Sequence, residues 1–164
     1  MVSKLELSIE EAFHEYTEFM GLCEYGAAFQ RLAEIENILE KHKLGKKAFS
    51  FWMDKVHSEI KSFVFWDAVE EYVKERFESI CRIVSVGNEF NEDEFLLILT
   101  MRIEVDTVFE ALERVGRPCL FDFTKIDSEI YDLKRSPLNI KSYGRAVKSI
   151  DRNRLLPSIT RWVE

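Results

Sequence analysis

The chain has 164 residues, a formal net charge of −7, 46% hydrophobic residues and 13% aromatics. These proportions exclude a disordered acidic polymer and predict one domain with an ordinary buried core. The longest apolar run, Phe95–Leu99, is far short of the roughly 20 residues of a membrane span, and only six glycines and three prolines punctuate the chain, which favours helices.

Lys4, Glu6, Glu10 and Glu11 interrupt the N-terminus, so no signal peptide is predicted and the protein is expected in the cytoplasm. Ser8-Ile9-Glu10-Glu11 has the spacing of a capping box. The helix it is expected to open places Leu5, Ile9, Ala12, Phe13, Tyr16, Phe19 and Met20 near one face, with Gly21 as its end. A second helix is predicted from Tyr25 to Lys43, with Phe29, Leu32, Ala33 and Leu39 inside and Gly45 beyond it. The third stretch, Lys46 to Trp66, carries two apolar stripes. One holds Ala48, Phe49, Trp52, Val56, Ile60 and Phe63; the other holds Phe51, Ser58, Ser62 and Phe65. Such a helix is either central in a bundle or half core and half interface.

A fourth helix is predicted from Trp66 to Val86, with Val69, Val73, Phe77, Ile80 and Val84 inward and Glu71, Glu75, Glu78 and Arg82 outward. Asn91-Glu92-Asp93-Glu94 reads as another capped start. From Met101 to Val115 the helical period places Met101, Val105, Val108, Leu112 and Val115 inside and Arg102, Asp106, Glu110 and Glu113 outside. A hairpin between residues 82–86 and 95–105 is the rival, because Leu99–Asp106 also fits a period of two. Gly116 and Pro118 favour the helix, since they fall where one should stop. Cys119–Phe123 fits a short extended segment, followed by short helices broken at Pro137, Gly144 and Pro157.

Chemical constellations are sparse. Glu11-x-x-His14 and Asp54-x-x-His57 have the spacing of carboxylate-bridged di-metal bundles, but the helical wheel turns Glu11 and His14 to solvent and sets Asp54 and His57 at a rim. No metal and no cofactor are expected. No nucleophile elbow or phosphate loop occurs, and His14, His42 and His57 each lack an Arg four to six residues upstream, so no catalytic residue is assigned. Cys23, Cys81 and Cys119 are far apart and odd in number, which predicts reduced and mostly buried thiols. Phe51-Trp52 and Phe65-Trp66 read chiefly as core, with an exposed anchor cluster as the alternative.

Charge placement is more informative. Residues 1–113 hold 24 Asp and Glu against 12 Lys and Arg, a net of −12, whereas residues 114–164 hold 6 against 11, a net of +5. Glu71, Glu75 and Glu78 form one candidate acidic row, and Glu10, Glu11 and Glu18 a second. Residues at i, i+4, such as Glu71 and Glu75, rise about 6 Å, not far from the spacing of phosphates along a strand, so such a row can occupy a basic groove. The plainer alternative is a solvated face with local pairs such as Glu70–Lys74 and Glu78–Arg82. The basic segment carries Lys134, Arg135, Lys141, Arg145, Lys148, Arg152, Arg154 and Arg161. It either docks on the acidic body, helped by Leu155, Leu156, Ile159 and Trp162, or binds phosphates; sparse aromatics favour docking.

The expected fold is therefore a mostly α single domain, residues 1–164, a bundle of six to eight helices with at most a short hairpin, in which an acidic body (1–116) carries a basic segment (117–164) packed on it. In size, acidity and the Phe- and Trp-rich helices from Phe13 to Phe77, the chain resembles the small acidic helical immunity proteins with which bacteria block contact-dependent or secreted toxins. The resemblance lies in the first half of the chain. It implies a non-catalytic, monomeric protein that covers the basic active-site cleft of a toxin nuclease with a carboxylate face, here Glu71, Glu75 and Glu78 first and Glu10, Glu11 and Glu18 second. The expected partner is thus a basic protein rather than nucleic acid or a membrane, and the alternative is a nucleic-acid-binding or regulatory, scaffold-type helical protein that uses the basic C-terminal segment.

Overall fold

The first helix begins one turn earlier than Ser8. The computed structural model describes residues 3–118, 121–150 and Trp162. In it, helix α1 spans Lys4–Gly21. Ser3 is its cap: the Ser3 hydroxyl accepts the Glu6 amide at 3.2 Å and the Glu6 carboxylate accepts the Ser3 amide at 3.1 Å. Ser3 and Ser8 both have a Glu three residues on, and the earlier box adds a turn of backbone hydrogen bonds. Ser8 instead donates to the Lys4 carbonyl within the helix. At the other end Gly21 stays helical and Cys23 takes the left-handed conformation, φ 58°. The Cys23 and Glu24 amides close back on the Met20 and Phe19 carbonyls at 3.1 and 2.9 Å, a Schellman stop.

Six further helices follow: α2 Tyr25–Lys41, α3 Lys46–Ser62, α4 Trp66–Ser85, α5 Glu92–Arg114, α6 Thr124–Arg135 and α7 Ile140–Ser149. No strand occurs among the described residues, so the hairpin alternative is replaced by α4 and α5. Asn91 caps α5 as expected, accepting the Glu94 amide, and the Glu94 carboxylate in turn accepts the Asn91 amide. Gly116, φ 71°, ends α5 through the same Schellman bonds as α1, with the Arg117 amide reaching the Leu112 carbonyl at 2.9 Å. Phe121–Phe123 is irregular and not a strand, and residues 119 and 120 lie outside the described part. Pro137 sits in the turn between α6 and α7, whereas Gly144 lies inside α7 rather than breaking it. Pro157 is outside the described residues.

Helix α5 is the central element and packs against α2, α4 and α7. Phe95, Ile98, Leu99, Ile103, Val105, Val108 and Leu112 are all buried, and they point around the helix rather than to one side. Burial on several faces removes the clean one-sided stripe, which is why a period of two also fitted this segment. Helix α3 is peripheral instead. Trp52, Val56 and Ile60 face α2 and the core, while Phe51 is 59% exposed and Phe65, just past the helix end, is 66% exposed. Within each aromatic pair, therefore, the Trp belongs to the core and the Phe to the surface.

Arg102 corrects the reading of α5. It is buried rather than outward, held by a bidentate pair to Asp127 at 2.7 and 2.9 Å and by Asp106 at 2.5 Å, with its guanidinium 4.4 Å from the centre of the Phe123 ring. This triad ties α6 to α5. The α6–α7 turn is fixed by the buried Asn139, whose carboxamide accepts the Phe90 amide at 2.9 Å and donates to the Asn88 carbonyl at 2.8 Å. Beyond α7, Trp162 is fully buried, stacked on Tyr131 at 5.1 Å, and its carbonyl accepts the Tyr143 hydroxyl at 2.5 Å. Leu155, Leu156 and Ile159, with Arg152, Arg154 and Arg161, lie outside the described residues. None of the described helices is long and apolar enough to cross a membrane.

Candidate acidic docking face

Several carboxylates of the body are engaged inside the fold. The Glu36 carboxylate takes both terminal nitrogens of Arg114. Glu34 lies 2.8 Å and Glu15 3.5 Å from the buried Arg31 guanidinium, joining α1 to α2. Between α2, α4 and α5, Tyr72 donates to Glu104 at 2.8 Å, and Arg76 reaches Glu24 at 3.1 Å while lying 3.6 Å from the centre of the Tyr72 ring. Gly26 makes that cluster fit: a Cβ there would stand 2.5 Å from both the Glu104 Cβ and the Tyr72 hydroxyl. Burial holds the Glu104 carboxyl above the ordinary glutamate range, opposed by the Tyr72 hydrogen bond and the Arg76 charge.

Glu71, Glu75 and Glu78 are different. Their spacing along α4 puts them on one side of the helix, opposite Val69, Val73 and Ile80, and all three are exposed. Among the described residues, no cation stands within ion-pair distance of any of them. The expected local pairs are replaced: Arg82 donates to Ser79 at 3.4 Å, and Glu70 faces Arg117 at 3.9 Å. Three carboxylates thus form a row on the outer face of α4, with the exposed Lys74 and Arg82 on the same face but outside ion-pair distance. Such a row attracts a positively charged surface and repels an anionic one.

Glu10, Glu11 and Glu18 are also exposed, but on α1, which packs on α2. Glu18 contacts His14 at 3.1 Å. The two rows sit on different helices, α1 and α4. Glu11, His14, Asp54 and His57 are all exposed, and no group of three or more His, Cys, Asp or Glu among the described residues is arranged to hold a metal ion. His42 is the C-cap residue of α2. Cys23 is exposed and Cys81 half-buried, so the expectation of mostly buried thiols is corrected for Cys23; Cys119 lies outside the described residues.

Two acidic residues that sequence reasoning passed over belong to this surface. Glu129 and Asp132 lie on α6, inside the segment whose net charge is positive, and α6 packs on α4. The i, i+3 spacing of Glu129 and Asp132 was the available signal; the net charge of their segment concealed it. No protein-family model, characterised protein or solved structure matches the chain.

Proposed function

We propose that this chain is a non-catalytic binding protein that neutralises a basic protein partner, acting as an immunity protein over the active-site cleft of a toxin nuclease. The observation that carries the reading is the exposed Glu71–Glu75–Glu78 row on one face of α4, with no cation at ion-pair distance among the described residues, whereas Glu34, Glu36 and Glu104 pair within the fold. A surface of one sign speeds encounter with a surface of the other, and its effect on association falls steeply with salt. The exposed Phe51 and Phe65 supply apolar area of the kind that slows dissociation.

The test is capture of partners on the immobilised full chain, identification by mass spectrometry, and association kinetics with the captured protein at low and high salt. Charge reversal by E71K/E75K/E78K should slow association by about tenfold or more at low salt and leave the thermal unfolding profile intact. Unchanged association would overturn the assignment. A second reading has its own observation: Lys141, Arg145 and Lys148 are exposed along α7 at spacings of four and three. If they bind phosphates, the chain will retain DNA or RNA in a salt-dependent manner, and R145A/K148A will release it.

A further inference from the structure

A cleft lies at the C-terminal end of α4, beyond the Glu71–Glu75–Glu78 row. There a depression of about 630 Å³ opens against α6, within the roughly 300–1,000 Å³ of ligand-sized clefts. Its lining includes Val84, Asn88, Glu129, Asp132, Leu133 and Leu138. Two carboxylates on α6 therefore face the end of α4, where the final carbonyls carry the negative pole of the helix. The last-turn cation of α4, Arg82, reaches back along the helix to Ser79. Leu133 and Leu138 give the cleft apolar walls, and Leu138 is 59% exposed.

Cleft and row adjoin along α4: Ser85, in the cleft lining, stands about two turns beyond Glu78 on the same face. Cys81 lies one turn beyond Glu78, and burial, with Glu129 next, pushes its thiol up; Glu78 acts in the same direction and Lys125 against. Two exposed cations temper the field: Lys125, one turn before Glu129, and Arg135, which lines a neighbouring depression that shares Asp132. Glu129 is left as the stronger anchor.

We infer that this cleft seats an arginine side chain of a basic polypeptide whose backbone runs along the Glu71–Glu75–Glu78 ridge. The inference rests on the binding-protein reading above and names the chemistry that the surface selects. Arginine fits both parts of the cleft: its methylenes lie on Leu133 and Leu138, and its planar guanidinium meets carboxylates with paired hydrogen bonds. A purely polar cation would leave the leucine walls uncovered.

The probe is a dye-labelled, capped octapeptide of alternating alanine and arginine, titrated with the full chain at low ionic strength and followed by fluorescence anisotropy. The same peptide with neutral citrulline replacing arginine is the reference. The arginine peptide should bind and the citrulline peptide should not. E129Q/D132N should weaken binding by about tenfold or more, the loss of charge-assisted hydrogen bonds, with an unchanged thermal unfolding profile. L138A, which alters no charge, should weaken it about threefold. Wild-type affinity in E129Q/D132N, or in L138A, would overturn the cleft as the seat. If E129Q/D132N binds as wild type while E71Q/E75Q/E78Q does not, the cleft falls and the ridge stands. If neither variant loses affinity, both readings fall.

Discussion

Cys23 and Gly116 occupy equivalent positions in two helix stops, and only one of them suits the backbone. Both have positive φ, 58° and 71°, and both follow a Schellman closure of the preceding helix. Left-handed backbone costs an L-residue with a Cβ about 1 kcal/mol and costs glycine little. Space is not the issue at Gly116, since a Cβ there would meet nothing within 4 Å. The two sites therefore make a matched pair. Cys23→Gly should stabilise the protein by about 0.5–1 kcal/mol, and Gly116→Ala should destabilise it by about 1 kcal/mol. Thermal unfolding followed by circular dichroism should move by about 2–4 °C per kcal/mol, upward for the first and downward for the second. Shifts of the same sign would show that backbone strain is not what distinguishes them.

Helix α6 is held to α5 by charge as much as by apolar contact. The Arg102 side chain is 4% exposed, and its partners Asp106 and Asp127 are 13% and 16% exposed. A buried ion cluster gains little over apolar packing, yet removing one member leaves its partners desolvated and uncompensated. Arg102→Met should therefore cost about 3–5 kcal/mol, while R102M/D127N should recover part of that loss because one stranded carboxylate becomes neutral. Urea unfolding of the two single variants and the double variant measures the coupling. Additive costs would mean that Arg102 stabilises by packing on Phe123 and not by pairing. The buried position of Arg102 follows from α5 being covered by α6 as well as by α2, α4 and α7, so the polar side of the helical wheel is not its solvent side.

Across the chain, the two oppositely charged halves exchange ions. Arg102 of the acidic half meets Asp127 of the basic half, and Arg114 and Arg117 of the basic half meet Glu36, Asp67 and Glu70 of the acidic half. The apolar counterpart is Trp162, which lies fully buried against Tyr131 of α6 and Tyr143 of α7. Trp162→Ala removes a large side chain from a filled site and should cost about 3–5 kcal/mol. The unfolding midpoint should fall by about 10 °C for a protein of this size. A midpoint within a degree or two of wild type would show that Trp162 contributes little to the core.

Helix positions and their stops were readable from the residues because they depend on neighbours in the chain. The Asn91–Glu94 box, the Gly116 stop and the start of α4 at Trp66 all rest on hydrogen bonds or dihedral preferences spanning a few residues. The Glu71–Glu75–Glu78 ridge was readable for the same reason, since one helix with one buried stripe has one outer face. Where two signals of equal form competed, as at Ser3 and Ser8, packing and the gain of a further turn decided between them. What required the folded chain was every property set by how many helices cover a given face. Covering made α5 central and α3 peripheral, buried Arg102, exposed Phe51, and placed Glu129 and Asp132 beside the end of α4. Local periodicity reports that a face is apolar or polar, but desolvation and long-range pairing depend on what arrives from elsewhere in the sequence, and those contacts exist only in three dimensions.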